Sequence, residues 1–356
     1  MAGSLRRRRV VWAALAAAVA ACLFVGLAFG SAQASAKPFW GITGQLEPED
    51  IDAMADSGTE STAVLLPWHV VQRGGAGTFD WAKPDALAAK AADNDIELVF
   101  ILFGSPAHIN STPHIAPAGK SEVDAWTTFV RASVKRYGPG GTFWAVRPGA
   151  TKPVRAWQVW QEPGLRFFFQ PKPNVGRYIK LLKPAAKAIR AEDPRAKILL
   201  AGLNNPSGGS NINLRGFLTR FYKKGGKGIR KHFDALSLHA YGPDNDAILR
   251  KLNLARDLMK AGGDRKKPIW VTEVGWSSDK SKHRLEVGRK GQKKKLRAGL
   301  KMLKRVKGEL RIKRVLVYTW RDPQEDSACW CDSAGLLSFS GKPKPALKVY
   351  EKFAGA

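Results

Sequence analysis

The stretch VRAWQVWQ at residues 154–161, followed by Glu162 and Pro163, indicates how this chain folds. It is a short run of apolar and β-branched residues that ends beside an acid, and a longer segment with helical periodicity follows at residues 174–191. A short strand followed by an amphipathic helix is the unit from which parallel sheets are built. The sequence therefore predicts a βα unit with a carboxylate at the carboxyl end of its strand.

The same alternation extends along the chain in both directions. The eight predicted strands are residues 39–43, 61–68, 96–103, 154–161, 197–202, 233–239, 268–273 and 314–320. Helical patterns lie between them, most clearly at residues 174–191 and 291–307, and a last helix is predicted at residues 345–353. Eight strands that alternate with helices favour a closed (β/α)8 TIM barrel of the α/β class over an open doubly wound sheet. No G-x-G-x-x-G loop follows a predicted strand, so a dinucleotide site is not indicated.

The composition fits one large folded domain. The chain has 356 residues, 44% of them hydrophobic, with 12 Trp and 16 Phe to supply a core. Three cysteines cannot form a disulfide framework. Cys329 and Cys331 are either free thiols, packing residues or a local disulfide, and the sequence leaves these alternatives open. The six histidines and the cysteines have no metal-ligand spacing, so we expect no metal and no other cofactor.

The N-terminal segment has the layout of an export signal. Four arginines at residues 6–9 precede an uncharged stretch at residues 10–29, and two Ala-x-Ala sites end at Ala34 and Ala36. We predict a signal peptide at residues 1–36, with an uncleaved membrane anchor as the alternative. Residues 37–356 then form a single barrel domain, which we expect to be exported, secreted or cell-surface associated, and monomeric.

The chain is strongly basic, with a net charge of +29. Residues 280–314 alone hold sixteen Lys and Arg against two Glu. No nucleic-acid-binding motif accompanies this charge, so a specific nucleic acid is not expected. Two interpretations remain: a solvated basic face, or electrostatic adsorption to an anionic cell-wall polymer or a membrane surface.

Two glutamates close predicted strands four and seven. Glu162 follows the fourth strand and Glu273 ends the seventh. In a barrel the reacting groups lie at the carboxyl ends of the strands, so these acids would face each other across the mouth. Two carboxylates are what hydrolysis of a glycosidic bond requires, and their proximity should raise the pKa of one of them.

These motifs resemble glycoside hydrolase clan A, the retaining (β/α)8 enzymes that include families 5, 10 and 39. In those families an Asn-Glu-Pro after strand four carries the acid/base, and the Glu of a Thr-Glu-x-Gly sequence on strand seven is the nucleophile. The resemblance implies that Glu162 is the acid/base and Glu273 the nucleophile of an enzyme that cleaves a β-linked glycoside or polysaccharide without a cofactor. A carbohydrate would be the partner of the site.

The same resemblance implies a set of substrate-binding residues. His239 and Tyr241 match the strand-six positions that orient the nucleophile and line the sugar site, and Trp320 matches the aromatic floor on strand eight. Aromatic faces stack on the apolar side of a pyranose ring. The predicted substrate-binding residues are Gln161, His239, Tyr241, Trp320, Trp276 and Trp68.

Two departures from the clan pattern bear on activity. Gln161 stands where the clan has Asn before the acid/base, and residues 61–64 of the second strand hold no Arg to support the nucleophile. A change in position of about 1 Å can lower a catalytic rate about 10²-fold. The alternative function is therefore a catalytically impaired carbohydrate or cell-wall binding protein on the same fold. A salt bridge of Glu162 to Arg166 would be the purely structural role for that acid.

Overall fold

The structure, a computed structural model, describes residues 38–206, 208–324 and 329–356. The predicted signal peptide or anchor at residues 1–36 lies outside the described residues. Within the described part, no helix has the length and apolar character needed to cross a bilayer.

The described residues contain eight parallel strands that close into one barrel, in the order of the sequence. The strands β1 to β8 are Trp40–Thr43, Ser61–Pro67, Glu97–Phe103, Ala156–Val159, Lys197–Leu203, Ala235–His239, Ile269–Val274 and Ile312–Tyr318. Closure occurs where β1 pairs with β8, for example Trp40 with Val315. The predicted (β/α)8 barrel is confirmed.

Helices connect the strands around the outside. In the described ranges the helices α1 to α10 are Asp50–Asp56, Trp68–Val71, Ala82–Asp93, Lys120–Tyr137, Thr142–Val146, Val175–Glu192, Leu214–Gly225, Asn245–Ala261, Gly288–Val306 and Leu347–Ala354. Two 3-10 turns occur at Lys227–His232 and Trp330–Ser333. Helix α9, Gly288–Val306, buries Leu296, Leu300 and Leu303 against the barrel, as its spacing predicted.

Three predicted strands extend past the observed strand ends. Trp68 begins helix α2 instead of ending β2. Strand β4 stops at Val159 because Trp160 and Glu162 have positive φ angles of 66° and 37°, which an extended strand cannot accommodate. Strand β8 lies two residues earlier than predicted, so Trp320 comes after it and not at its end.

Alternating residues of the strands fill the barrel interior. This inner cluster consists of Ala63, Val99, Ile101, Ala156, Leu199, Ala235, Trp270 and Leu316. At the amino-terminal end of the strands the Arg314 guanidinium lies 4.2 Å from the ring centre of Trp270 and donates to Glu97 Oε2 at 2.9 Å. Packing and an ion pair therefore close this end of the barrel.

Candidate active site

The two predicted carboxylates meet at the opposite end of the barrel. Glu162 follows β4 and Glu273 lies in β7, and they are 6% and 9% exposed. One oxygen of each carboxylate and Nδ1 of His239 lie within 4.8 Å of one another. Glu162 itself has a left-handed backbone conformation, which is uncommon outside glycine and which turns the chain at the strand end.

His239 lies between the two acids. It is the last residue of β6, and its Nδ1 is 2.6 Å from Glu162 Oε1 and 3.2 Å from Glu273 Oε2. A Cβ at Gly202 of β5 would lie 2.1 Å from Nε2 of this imidazole. The absence of a side chain at Gly202 therefore makes room for the ring that bridges the carboxylates.

Glu273 also receives two further hydrogen bonds from predicted site residues. Tyr241 donates its hydroxyl to Oε2 at 2.6 Å, and Gln161 donates its side-chain nitrogen to Oε1 at 3.1 Å. Gln161 is itself held by Gln158, whose Nε2 donates to Gln161 Oε1 at 2.8 Å. The amide that replaces the clan's Asn thus holds Glu273 in a fixed orientation in this structure.

The electrostatics of the cluster follow from burial and mutual charge. Burial and the charge of Glu162 raise the pKa of Glu273, and the interactions with His239, Tyr241 and Gln161 offset part of that increase. Burial alone would lower the pKa of His239, but the charges of Glu273 and Glu162 outweigh it and raise that pKa. Burial and Glu273 raise the pKa of Tyr241, which keeps its hydroxyl a donor. The pKa increase expected for one acid thus falls on Glu273, which must lose its proton before it can attack.

Lys251 is a buried cation that the sequence analysis missed. It lies on α8, Asn245–Ala261, and its Nζ donates to the carbonyl oxygens of Tyr241 at 2.8 Å and His239 at 3.3 Å. Burial lowers its pKa to about 8, against the attraction of Glu162. Lys251 occupies an apolar-face position beside Ile248 and Leu252, so a lysine within a hydrophobic stripe was the signal that could have revealed it.

The prediction that Trp68 and Trp276 bind the sugar is wrong. Trp68 is fully buried, stacks on Phe129 with ring centres 5.6 Å apart, and donates Nε1 to Gln72 at 2.6 Å. Trp276 is 2% exposed and donates Nε1 to the Gly242 carbonyl at 2.9 Å. Both rings serve the packing of helices on the barrel and present no face to a ligand.

The prediction that Trp320 binds the sugar is also wrong, because this residue is 2% exposed and lies within the main core. The strand-eight aromatic beside the carboxylates is Tyr318, which is partly exposed and lies 6.2 Å from Tyr241, centre to centre. Burial raises the pKa of Tyr318, and the charge of Glu273 raises it further. The error arose because the end of β8 was placed two residues too late.

Of the three alternatives for Cys329 and Cys331, the structure has the local disulfide. The residue between them, Trp330, packs its ring 4.8 Å from that of Tyr241, centre to centre. The loop that carries Trp330 follows strand eight and was expected at the barrel mouth, but the sequence does not show which of its side chains faces the carboxylates.

Among the described residues, Glu162 does not form the salt bridge to Arg166 that was considered as its structural role. The basic side chain at both carboxylates is His239, whereas Arg166 uses its backbone N–H to bond Asn211.

Glu162, His239 and Glu273 also have the residue types of a metal site, as do Cys329, Cys331 and Asp332. In the first group the Nδ1 hydrogen bonds account for the short distances, and in the second the sulfurs are bonded to each other.

Together, these observations give a closed (β/α)8 barrel with a buried pair of glutamates at the carboxyl ends of its strands, where the reacting groups of such barrels lie. The sequence comparison gives the family. The family model described as glycosyl hydrolase catalytic core matches residues 160–350, which is more than half of the chain and includes both glutamates. The chain belongs to this glycosyl hydrolase family.

Solved structures share the fold at low sequence identity. The family 39 glycoside hydrolase of Bacteroides cellulosilyticus is 16% identical with a TM-score of 0.67, and the match covers 89% of this chain and 64% of that one. The family 39 enzyme of Xanthomonas axonopodis pv. citri is 19% identical with a TM-score of 0.65, covering 90% and 67%. The family 1 β-glucosidase of Thermotoga maritima is 13% identical with a TM-score of 0.64, covering 90% and 97%. No curated protein sequence matches the chain.

Proposed function

We propose that this chain is a retaining glycosidase that cleaves a β-linked glycoside or polysaccharide by double displacement. The observation that carries the proposal is that one carboxylate oxygen of Glu162 and one of Glu273 lie within 4.8 Å of each other. Retaining enzymes hold their carboxyl groups about 5–5.5 Å apart, whereas inverting enzymes need about 6.5–9.5 Å to admit a water. The narrow gap favours direct attack by one carboxylate.

Each acid has the hydrogen bonds that its role requires. An oxygen of Glu273 forms a bond to the anomeric carbon while the bond from that carbon to the leaving oxygen breaks, and Glu162 transfers its proton to the leaving oxygen. Glu162 then takes a proton from water, which attacks the glycosyl-enzyme and releases Glu273. Tyr241 and Gln161 hold Glu273 in place, and His239 holds Glu162.

The test is turnover of aryl β-glycosides by the full chain, over a panel of sugars with good and poor leaving groups. We expect Glu273→Gln to lower kcat by at least about 10³-fold for every leaving group. Glu162→Gln should cost about 10²–10⁴-fold with a poor leaving group and much less with a good one, because the latter needs no proton.

The matched control is Glu97→Gln, which changes an acid at the other end of the same barrel. Its activity per folded molecule should equal that of the parent chain. No turnover by the parent chain, together with polysaccharide binding that both glutamate variants retain, would contradict catalysis. That result would favour the non-catalytic carbohydrate or cell-wall binding protein.

We also propose export of the chain, by cleavage after Ala34 or Ala36 or with the N-terminal segment kept as an anchor. The support is the arginine-rich start, the uncharged stretch and the two Ala-x-Ala sites. The Cys329–Cys331 disulfide agrees with an oxidising compartment. Mass spectrometry of the N-terminus of protein from the exported fraction tests this, and a chain confined to the cytoplasm with its start intact would contradict it.

The basic face supports a proposed second contact, with an anionic cell-wall polymer or membrane surface. On α9 the exposed side chains include Lys290, Lys293, Lys294, Arg297, Lys301 and Lys304, opposite the buried leucines. Adsorption through these charges should weaken steeply between 50 and 500 mM salt, because the Debye screening length shortens over that range. Retention on anionic vesicles that is insensitive to salt, or no retention, would contradict this contact.

A further inference from the structure

The backbone of Trp330 is restrained by both of its neighbours in the chain. The Cys329–Cys331 disulfide closes a ring around it, and a 3-10 turn begins at Trp330 itself. The backbone N–H of Cys329 donates to Asp332 Oδ2 at 3.0 Å, and the N–H of Cys331 approaches Cys329 Sγ at 3.2 Å. A large aromatic side chain fixed in this way loses little further freedom when a ligand packs against it.

The Trp330 ring belongs to an aromatic group at the mouth of the barrel. Its centre is 4.8 Å from that of Tyr241 at 72° and 6.2 Å from that of Tyr318. The His283 ring lies nearly parallel to it, at 15° and 6.1 Å. Trp330, Tyr241 and Tyr318 are all partly exposed, so the group is not closed off from solvent.

This group lies on one side of the carboxylate pair. Tyr241, the ring nearest Trp330, donates its hydroxyl to Glu273 at 2.6 Å, whereas Glu162 has its shortest contact with His239. In the proposed reaction Glu273 attacks the sugar that becomes attached to the enzyme, and Glu162 serves the leaving group. The aromatic group is therefore next to the bound sugar, the glycone.

We propose that Trp330 is a specificity-determining residue that packs on the apolar C–H face of a pyranose glycone bound at Glu273. This inference rests on the proposed function, because it takes the roles of the two glutamates from it. An aromatic plane favours pyranoses whose hydroxyls lie at the ring edge and leave one face apolar. The disulfide restrains the backbone that carries the indole, and Tyr241 and His283 pack against its ring, so the plane selects among glycones and does not respond to the leaving group.

The first test compares kinetic constants of Trp330→Ala, Trp330→Phe and the parent chain. For the preferred glycone we expect Trp330→Ala to lower kcat/KM about 10-fold, mostly through KM, and by the same factor for two leaving groups of different acidity. Trp330→Phe should recover most of the loss because it keeps an aromatic plane. Phe339→Ala removes another aromatic side chain of the same β8–α10 connection, 53% exposed, and should leave kcat/KM unchanged. Circular dichroism melts show whether each variant is folded.

The disulfide ring is tested separately with Cys329→Ser/Cys331→Ser. This variant keeps the indole and frees its backbone. We therefore expect a smaller increase in KM than in Trp330→Ala, and smaller differences in kcat/KM between glycones. An unchanged kcat/KM in Trp330→Ala overturns the proposal. So does a loss that falls on kcat and shifts the pH profile, because Trp330 would then act by holding Tyr241.

A binding measurement separates this inference from the proposed function. Calorimetry with Glu273→Gln, with and without Trp330→Ala, measures affinity for the free monosaccharides and disaccharides of the panel. If the parent chain shows no turnover but Trp330→Ala weakens sugar binding about 10-fold, the Trp330 contact stands and catalysis fails. Turnover by the parent chain with equal binding in both variants overturns the contact alone, and neither turnover nor binding overturns both.

Discussion

The two ends of this barrel hold buried charge in opposite ways. At the amino-terminal end one cation, Arg314, meets one acid, Glu97, over the face of Trp270. At the carboxyl end two acids, Glu162 and Glu273, share one imidazole, His239. The first arrangement balances its charge, and the second concentrates negative charge in a buried place.

The difference shows which end the fold uses for stability and which for chemistry. The Arg314–Glu97 pair places opposite charges in contact, whereas burial and the repulsion between the two acids raise the pKa of Glu273. Such an arrangement costs stability, and it places side by side the two carboxylates that a double displacement needs. Substitutions at the two ends should therefore have opposite consequences.

The largest effect is expected from Glu273→Gln. Activity should fall by at least about 10³-fold, while the melting temperature at pH 7 stays equal or increases, because the variant removes the repulsion from Glu162. Aryl glycoside kinetics and a thermal melt of the same preparation check both parts. A melting temperature clearly below that of the parent chain would break the comparison, since it would make Glu273 a stabilising residue.

Glu97→Gln at the other end should show the reverse pattern. The substitution leaves the Arg314 guanidinium buried without its acid, and we expect a loss of about 2–3 kcal/mol in the free energy of unfolding. Urea denaturation measures this loss, and kcat/KM per folded molecule should not change. An equally stable variant would mean that the amino-terminal pair contributes nothing.

Much of this contrast is readable from the sequence, for physical reasons that differ between residues. The eight strands and the positions of Glu162 and Glu273 follow from periodicity and from the rule that strand ends meet at one edge. Trp68 and Trp276 were assigned wrongly because a tryptophan next to a strand end has the same sequence signature whether it faces the cleft or a helix. The position of Trp330 depends on how a loop packs against the mouth, which no local pattern encodes. The hydrophobic stripe around Lys251 marks a buried lysine, but it does not show that this lysine lies beside the carboxylates.

Gly202→Ala sharpens the comparison with a smaller change at the carboxyl end. The added methyl group would lie 2.1 Å from His239 Nε2, so the imidazole has to shift from its observed position between the carboxylates. We expect a loss of about 1–3 kcal/mol in stability from overpacking and a loss of activity on the order of 10-fold. The control is Gly228→Ala, because no heavy atom lies within 4 Å of the added carbon there. If Gly202→Ala behaves like that control, His239 does not need its observed position.

The smallest effect is the dependence of stability on pH. Glu273 and His239 both have raised pKa values in the folded chain, so the folded state holds their protons more tightly than the unfolded state. Their contribution is complete at pH values below 4.5, the ordinary pKa of Glu, and decreases as pH rises past that value and then past 6.5, the ordinary pKa of His. Unfolding free energies from pH 4 to 8 should decrease less steeply in Glu273→Gln than in the parent chain. Identical pH dependences of the unfolding free energy in the two chains would contradict the raised pKa of Glu273.

The central claim, that Glu273 attacks the sugar and Glu162 transfers protons, is tested most directly by azide rescue of Glu273→Ala and Glu162→Ala with a β-glycoside of a good leaving group. In Glu273→Ala azide would attack the anomeric carbon in place of the carboxylate, so the account predicts an α-glycosyl azide. In Glu162→Ala azide would attack the glycosyl-enzyme formed on Glu273, so the predicted product is the β-glycosyl azide. Nuclear magnetic resonance of the two products distinguishes them, and the reverse assignment, or an α-azide from both variants, would contradict the account.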